Sequence, residues 1–269
     1  MSTQADKAAA FRALHRPGDP LLLPNPWDLG SARLLAALGF SALATTSSGF
    51  ATSVGREDGG VTRDEALDHA AAIVAATELP VSADLEDGFA DDPAGVADTV
   101  RAAIAAGLAG CSVEDYTRRD DEPIHDLKLA AERIAAAAAA AHAGDFVLTA
   151  RAENYLHGRP DLADTIARLQ AYQEAGADVL YAPGLTSIED IRLVIRETDR
   201  PVNVLAMPGV PPVADLAEAG VSRISVGGAF AFAALGALVS AATEFRDHGT
   251  YGFRAGSAVG RDAASRAFG

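Results

Sequence analysis

One recurring pattern constrains the fold of this chain more than any other feature: an alanine-rich segment ends at a glycine, and a short apolar run follows. It occurs four times, with the glycine at Gly39, Gly107, Gly176 and Gly220. Glycine suits the left-handed conformation that ends many helices, and an apolar run of four or five residues is typical of a strand buried on both faces. The repetition predicts a parallel sheet covered by helices.

Weaker copies of the pattern extend the series to eight predicted strands. Helix start signals separate them, such as Thr62 with Glu65 as a capping box and Asp92 before Pro93. Each strand-to-strand step is roughly 29 residues, the size of a βα unit. We therefore predict an α/β fold of the (β/α)8 TIM-barrel class. The strands are expected near residues 20–24, 41–45, 81–85, 110–114, 146–150, 178–182, 201–205 and 223–226.

A single domain accounts for nearly the whole chain. Although 269 residues could form two domains, α/β barrels of this size commonly form one. Residues 1–253 are predicted to form the barrel domain, with an extra helix within residues 1–16. Residues 254–269, rich in Gly, Ala, Ser and Arg, are expected to form a flexible C-terminal tail.

Charge and cysteine content argue against several classes of protein. The chain has 22 Lys and Arg against 37 Asp and Glu, a net charge of −15, which disfavours nucleic acid and membrane surfaces as partners. The single cysteine, Cys111, excludes an intramolecular disulfide and a cysteine-based zinc cluster. No signal peptide or membrane span is predicted. We expect a cytoplasmic protein that acts on a small molecule.

Charged residues follow three successive strands, at the end of the barrel where active sites form. Asp84 and Glu86 end the third strand, Glu114 the fourth and Arg151 the fifth. Carboxylates at this density, without His or Cys nearby, favour Mg²⁺ or Mn²⁺ over zinc. Arg151 is suited to hold a substrate carboxylate through two nitrogens. The alternatives are solvated loop charges and, for Arg151, a structural ion pair.

Six ordered segments between about residues 10 and 245 resemble motifs of the isocitrate lyase/phosphoenolpyruvate mutase superfamily. They are Asn25-Pro26-Trp27-Asp28, Thr45-Thr46-Ser47-Ser48-Gly49, Gly55-Arg56-Glu57-Asp58, Ala83-Asp84-Leu85-Glu86-Asp87-Gly88-Phe89, Val113-Glu114-Asp115 and Thr149-Ala150-Arg151. The resemblance implies a barrel whose last helix is exchanged between subunits of a homodimer or homotetramer. It also implies a Mg²⁺ ion that binds a 2-oxo or 2-hydroxy acid.

The same resemblance implies roles for individual residues. Asp84 resembles the direct metal ligand, and Asp58, Glu86 and Glu114 resemble the carboxylates that hold the waters of the metal. Glu86 stands where the family commonly has Asp, and its longer side chain still permits that role.

A second group of residues is expected to bind the substrate. Ser48 and Gly49 resemble a turn whose backbone N–H groups receive the substrate carboxylate, and Arg151 resembles its clamp. Asn203, on the seventh predicted strand, is a further candidate for substrate binding.

The loop after the fourth strand differs from that of the isocitrate and methylisocitrate lyases. Those enzymes carry a Lys-Lys-Cys-Gly-His type loop whose cysteine donates a proton, whereas residues 116–125 contain no cysteine. Tyr116, Thr117 and His125 are the candidate donors here, of which Tyr116 and His125 are favoured. Cys111 is expected to face the helices as a buried thiol. Tyr181 stands where the phosphonopyruvate enzymes have a histidine, which disfavours a phosphonate substrate.

These features predict a Mg²⁺-dependent lyase that cleaves a C–C bond of a small 2-oxo or 2-hydroxy (di)carboxylic acid through an enolate. Decarboxylation of an oxaloacetate-like acid and a methylisocitrate lyase-like retro-aldol cleavage share that intermediate. The predicted catalytic residues are Asp58, Arg151, Tyr116 and His125. Two alternatives remain: a phosphonopyruvate or phosphoenolpyruvate P–C bond mutase or hydrolase, and a metabolite-binding barrel without catalysis.

Overall fold

Eight parallel strands form a barrel in the computed structural model, which describes residues 2–269. The strand order is β1-β8-β7-β6-β5-β4-β3-β2, with every pair parallel. The predicted (β/α)8 class is therefore confirmed. The strands are β1 (Leu21–Leu23), β2 (Leu43–Ala44), β3 (Val81–Asp84), β4 (Gly110–Glu114), β5 (Val147–Arg151), β6 (Val179–Tyr181), β7 (Val202–Leu205) and β8 (Arg223–Ser225).

Helices cover the barrel, and their starts follow the predicted signals. Thr62 and Glu65 form the expected capping box, and Asp92 caps the helix that begins at Pro93. Within residues 2–269 the helices are α1 (Gln4–Ala13), α2 (Leu29–Ala37), α3 (Ser47–Ser53), α4 (Arg63–Ala76), α5 (Pro93–Ala105), α6 (Leu127–Ala143), α7 (Leu162–Glu174), α8 (Ile188–Arg196), α9 (Val213–Glu218), α10 (Ala229–His248) and α11 (Arg254–Phe268).

A buried asparagine helps to close the barrel between β1 and β2. The backbone N–H of Ala44 donates to the carbonyl of Pro24, just past β1. The side chain of Asn25 donates to the carbonyl of Thr45 and accepts from the backbone N–H of Val226, over 3.0 Å in each case. One amide thus ties the C-terminal ends of β1, β2 and β8 together.

The two ends of the barrel differ in polarity. Phe11 of α1 is fully buried in an apolar cluster with Leu21, Val147 and Val179, so α1 covers the N-terminal end. Toward the C-terminal end the interior side chains become polar. Cys111 lies in the apolar core between sheet and helices, as expected, and burial raises the pKa of its thiol.

The C-terminal segment differs from its prediction. Residues 254–269 were expected to be a flexible tail but contain the helix α11, which contacts α2. Gly256 and Gly260 lower the intrinsic helix preference of this segment, and none of its residues is buried.

Helix α10 is largely uncovered by the rest of the chain. Only Ala231 is buried along its 20 residues, and Leu238 and Val239 are 63% and 64% exposed. Among residues 2–269 it is the one helix long and apolar enough to cross a membrane, although no span was predicted. A helix that a second protein subunit covers has the same composition, so this property alone does not assign a membrane location.

Candidate active site

Two adjoining cavities open at the C-terminal end of the barrel and share Ser47, Asp58, Arg151 and Leu156 as lining residues. The inner cavity, about 200 Å³, lies within the barrel. The outer cavity, about 430 Å³, lies next to the loop of residues 115–126, which we call the lid loop. The inner cavity is also lined by Ser48, Asp84, Tyr181, Asn203 and Arg223, and the outer one by Glu86, Glu114, Tyr116, Arg118, Glu153 and His157.

Arg151 lies at the junction of the two cavities and contacts three carboxylates. Its nitrogens lie 2.9 Å from Asp84 Oδ1, 3.1 Å from Glu114 Oε2 and 2.8 Å from Glu153 Oε1. Burial opposes its charge, but the three carboxylates raise the pKa of Arg151 well above its usual value. The guanidinium is therefore a fixed, oriented cation at the mouth of the barrel.

The carboxylates around Arg151 are buried enough to resist ionisation. Burial, reinforced by Asp84, raises the pKa of Glu86 to about 7, although Arg118 opposes the shift. Burial also raises the pKa of Glu114, against the attraction of Arg151. Burial is the largest cause of both shifts, and the neighbouring carboxylates add to it.

The backbone at Glu86 is strained. β3 ends at Asp84, and Glu86 has φ +51°, a left-handed conformation that side chains with a Cβ rarely adopt. Simple strand alternation from Asp84 to Glu86 is thus not observed. The turn nevertheless brings Glu86 to the outer cavity, where its Oε1 is buried and has no hydrogen-bond partner within residues 2–269.

The four predicted metal-site carboxylates surround the two cavities without forming a compact cluster. Within residues 2–269 there is no group of three or more His, Cys, Asp or Glu side chains placed to hold an ion directly. The sequence predicts one direct ligand, with the other carboxylates contacting the ion through water molecules. That arrangement does not require three ligating side chains close together. The unpartnered Oε1 of Glu86 and the all-oxygen donor set fit a hard divalent cation.

The Ser48–Gly49 turn forms the start of the short helix α3. Thr46 caps it, and the N–H of Ser47 donates to Asp84 Oδ2 over 3.1 Å. A Cβ on Gly49 would lie 2.6 Å from Thr46 Cγ2, so only glycine fits there. Ser48 lines the inner cavity, whereas Gly49 contributes close packing.

The lid loop folds back on itself above the outer cavity. Tyr116 and Ile124 form an antiparallel bridge. Arg118, with φ +60°, pairs with Glu86 and donates to the carbonyl of Gly59 over 3.0 Å. Tyr116 stacks on His157, with ring centroids 3.6 Å apart. The loop is thus fastened to both sides of the cavity.

His125 and Asn203 are placed differently from the other predicted site residues. His125 is buried beside Arg133 and Asp115 and lines neither cavity. Asn203 lines the inner cavity, but its side chain already binds Arg223 and Ser225, over 2.9 and 3.0 Å.

The lining residues that were not among the predicted site residues include Arg118, Glu153, His157 and Arg223. Glu153 had a usable signal, since it follows Arg151 by two residues, as Glu86 follows Asp84. Asp115 positions this segment, because its Oδ1 accepts from the N–H of Glu153 over 2.8 Å. Arg118 and His157 lie on loops. The periodicity of apolar residues does not indicate the path of a loop, so it does not place these two side chains.

Comparison with known proteins places this geometry in a family. The family profile described as phosphoenolpyruvate phosphomutase matches residues 11–246. The protein Rv1998c of Mycobacterium tuberculosis, itself uncharacterized, is 36% identical over 239 residues, 88% of this chain and 89% of that protein. The 2-methylisocitrate lyase of Escherichia coli K12 is 33% identical over 187 residues, 66% of this chain and 62% of that enzyme.

Solved structures resemble the whole barrel. A Burkholderia cenocepacia J2315 protein, provisionally described as a lyase or mutase, is 57% identical with a TM-score of 0.93, and 97% of this chain and 95% of that chain are covered. A phosphonopyruvate hydrolase in complex with oxalate and Mg²⁺ is 25% identical with a TM-score of 0.81, covering 92% and 88%. The chain therefore belongs to the phosphoenolpyruvate phosphomutase family, within the isocitrate lyase/phosphoenolpyruvate mutase superfamily that its motifs predicted.

Proposed function

We propose that this chain is a Mg²⁺-dependent lyase that cleaves a C–C bond of a small 2-oxo or 2-hydroxy dicarboxylic acid through an enolate. The observation that carries the proposal is Arg151, buried at the mouth and held by Asp84, Glu114 and Glu153. Such a fixed guanidinium can bind a carboxylate through two nitrogens. The similarity to 2-methylisocitrate lyase supports lyase chemistry, and the Mg²⁺ and oxalate of phosphonopyruvate hydrolase support the metal.

In this proposal Asp84 binds the cation directly, and Asp58, Glu86 and Glu114 bind its waters. When bound, Mg²⁺ would supply Lewis-acid stabilisation of the negative charge on the 2-oxo oxygen of an enolate formed by decarboxylation. In retro-aldol cleavage of a 2-hydroxy acid, Asp58, which lines both cavities, would take the hydroxyl proton as the C–C bond breaks. Arg151 orients the adjacent carboxylate, together with the turn at Ser48, and so holds the scissile bond in a fixed direction.

The lid loop supplies the remaining functions. Fastened by Arg118 and by the Tyr116–His157 stack, it limits access of water to the outer cavity. The Tyr116 hydroxyl is the proposed donor of the proton that converts the enolate carbon into product. His125, the second candidate from the sequence, lies outside both cavities, so its position favours a structural role.

A substrate screen tests the proposal. Oxaloacetate, 2-methylisocitrate and phosphonopyruvate are incubated with Mg²⁺ or with EDTA, and released pyruvate and other 2-oxo acids are measured. We expect Mg²⁺-dependent cleavage of at least one dicarboxylic acid. Asp84→Asn should abolish both turnover and the increase in melting temperature on Mg²⁺ addition.

The substitution Arg151→Lys tests whether the guanidinium of Arg151 binds the substrate carboxylate through two nitrogens. Because an ammonium group cannot form the paired contact, we expect oxalate to bind at least about tenfold more weakly, near 1.4 kcal/mol. Turnover of phosphonopyruvate alone would instead support the P–C bond alternative. Binding of oxalate without any turnover would support the non-catalytic barrel.

We also propose a homodimer or homotetramer in the cytoplasm. Unburied apolar side chains along α10, which include Phe232, Leu238 and Val239, are the supporting observation. In the assembly that the family resemblance implies, α10 of one subunit is covered by its partner.

A further inference from the structure

A second arginine inside the barrel lacks the carboxylate partners that surround Arg151. Arg223 is 4% exposed and lines the inner cavity. Its Nε donates to Asn203 Oδ1 over 2.9 Å, and its Nη2 donates to Thr149 Oγ1 over 3.1 Å. Its Nη1 lies 3.2 Å from His15 Nε2. Within residues 2–269 it forms no ion pair.

The third partner, His15, is neutral. Its Nδ1 lies 2.8 Å from the carbonyl of Phe11 and must donate to it, so Nε2 accepts from Arg223. Burial, and then the charge of Arg223, lower the pKa of His15 to about 3. Burial lowers the pKa of Arg223 to about 10, so the guanidinium remains charged at neutral pH. A charged group is thus held entirely by neutral acceptors.

Another buried arginine shows what a structural role looks like in this chain. Arg133, 1% exposed, donates to the backbone carbonyls of Asp87, Ala90 and Asp91 and lines neither cavity. The carboxylates of Asp87 and Asp91 also favour its charged form. Around Arg223 the nearby charge is instead Arg151, which is of like sign. A buried cation without compensation is costly unless an anion joins it.

The strand register places both arginines in the barrel interior. Arg223 pairs with Asn203, Asn203 with Tyr181, and Tyr181 with Arg151, and residues paired in this way face the same side of a sheet. Thr149, which Arg223 contacts, precedes Arg151 by two residues, about 6.6 Å lower along β5. Arg151 therefore lies at the mouth of the inner cavity and Arg223 at its floor.

Both arginines line the inner cavity, which measures about 200 Å³. A dicarboxylate carries one carboxylate at each end and so offers a partner to each guanidinium, whereas a monoacid such as pyruvate offers only one. The offset of about 6.6 Å along β5 suits a short acid of four or five carbons.

We propose that Arg223 is the binding site for the distal carboxylate of a four- or five-carbon 2-oxo or 2-hydroxy dicarboxylate whose first carboxylate binds at Arg151. This inference rests on the proposed function and adds the direction in which the substrate lies, down into the barrel. Asn203, Thr149 and His15 are positioning residues, because they fix the guanidinium plane and bear no charge that would neutralise it.

Binding measurements with Mg²⁺ present test the inference through two probes. Oxalate is long enough to contact Arg151 only, whereas L-malate is long enough to contact both Arg151 and Arg223. In Arg223→Met we expect the dissociation constant of L-malate to rise at least tenfold and that of oxalate to change by less than twofold. Arg133→Met, a matched loss of a buried arginine, should leave the malate-to-oxalate ratio unchanged even if it lowers the melting temperature.

A measurement on the wild-type protein covers the case in which Arg223→Met does not fold. Esterification of the C4 carboxylate of L-malate should weaken binding at least tenfold, because the distal charge is removed. Equal binding of malate and its ester, or an equal loss of malate and oxalate in Arg223→Met, overturns the inference and leaves the proposed function intact. Failure of the wild type to bind either acid overturns both.

Discussion

At the scale of single residues, the mouth of the barrel is a set of carboxylates held apart by guanidinium groups. Arg151 and Arg118 together contact Asp84, Glu86, Asp87, Glu114 and Glu153. In this arrangement some carboxylate oxygens have no hydrogen-bond partner. Glu86 Oε1 is such an atom, and it is buried.

Glu86 gives the site a pH dependence of known sign. Its pKa is about 7 in the folded protein against an ordinary value of 4.5, so between these values the folded state retains a proton that the unfolded state has released. Stability in EDTA should therefore fall as pH rises from 4.5 to 7, by up to about 3 kcal/mol from this group. The difference in unfolding free energy between wild type and Glu86→Gln, measured across this range, isolates the effect. A difference that is constant with pH would refute it.

Tyr116 is the residue on which the proposed proton transfer depends. Tyr116→Phe keeps the ring that stacks on His157 and removes only the hydroxyl, so we expect turnover of the best screened acid to fall by about 10²-fold or more. Binding of Mg²⁺ and oxalate should persist, since the interaction lost belongs to the transition state. His125→Ala serves as comparison and should retain most activity. Full activity in Tyr116→Phe would assign the proton to solvent or to another group.

Buried apolar runs located the residues at strand ends, and the motif resemblance located Asp58 and the loop residue Tyr116, whereas the loop residues Arg118 and His157 were missed. Asp84, Glu114 and Arg151 follow from buried apolar runs, because the end of a run fixes the end of a strand. Arg223 is the first residue of β8. A charged side chain beside a short apolar run is readily interpreted as the boundary of the strand. Its significance depends on which neighbours surround it in the closed barrel.

At the scale of elements, the ion pair of Arg118 with Glu86, supported by a longer one with Asp87, fastens one side of the lid loop. Arg118 joins it to Glu86 of the β3 turn and to Gly59 of the loop before α4. Its left-handed backbone, at φ +60°, shows that these contacts outweigh an unfavourable local conformation.

Loss of that ion pair should release the loop. In Arg118→Gln we expect trypsin to cleave after the exposed Arg119 at least about threefold faster, since local opening limits cleavage of a fastened loop. Arg101→Gln removes an exposed arginine paired with Asp98 on α5 and should leave the rate unchanged. Gel analysis of the two fragments measures cleavage. Equal rates in both variants would show that other contacts hold the loop.

All eight strands were predictable, whereas the conformation of the C-terminal segment was not. The strands are encoded locally, by apolar runs that must be buried on both faces. Helix α11 contacts α2 without burying any of its own residues, and the glycines within it lower the helix preference that a local pattern would detect.

At the scale of the whole molecule, α10 is the element that a single chain leaves uncovered. Its exposed apolar residues include Phe230, Phe232, Leu235, Leu238, Val239 and Phe245. Apolar surface of this extent is uncommon on soluble monomers and marks an interface.

Charged substitutions on α10 should dissociate the proposed oligomer. We expect wild type to elute as a dimer or tetramer in size-exclusion chromatography with light scattering, and Leu238→Glu/Val239→Glu to shift toward monomer. Leu38→Glu introduces an acid at an equally exposed apolar residue on another face and should leave the assembly unchanged. A monomeric wild type would contradict the proposal.

Gly227 and Gly228, directly before α10, form part of the wall of the inner cavity. A Cβ on Gly228 would lie 2.6 Å from Ser48 Oγ, and one on Gly49 would lie 3.3 Å from the Cβ of Ala231. The helix that we expect to join subunits is thus packed directly on the turn expected to receive the substrate. Specific activity should consequently fall on dilution to protein concentrations at which subunits separate, so rates measured at nanomolar enzyme would understate those at the concentrations of a cell.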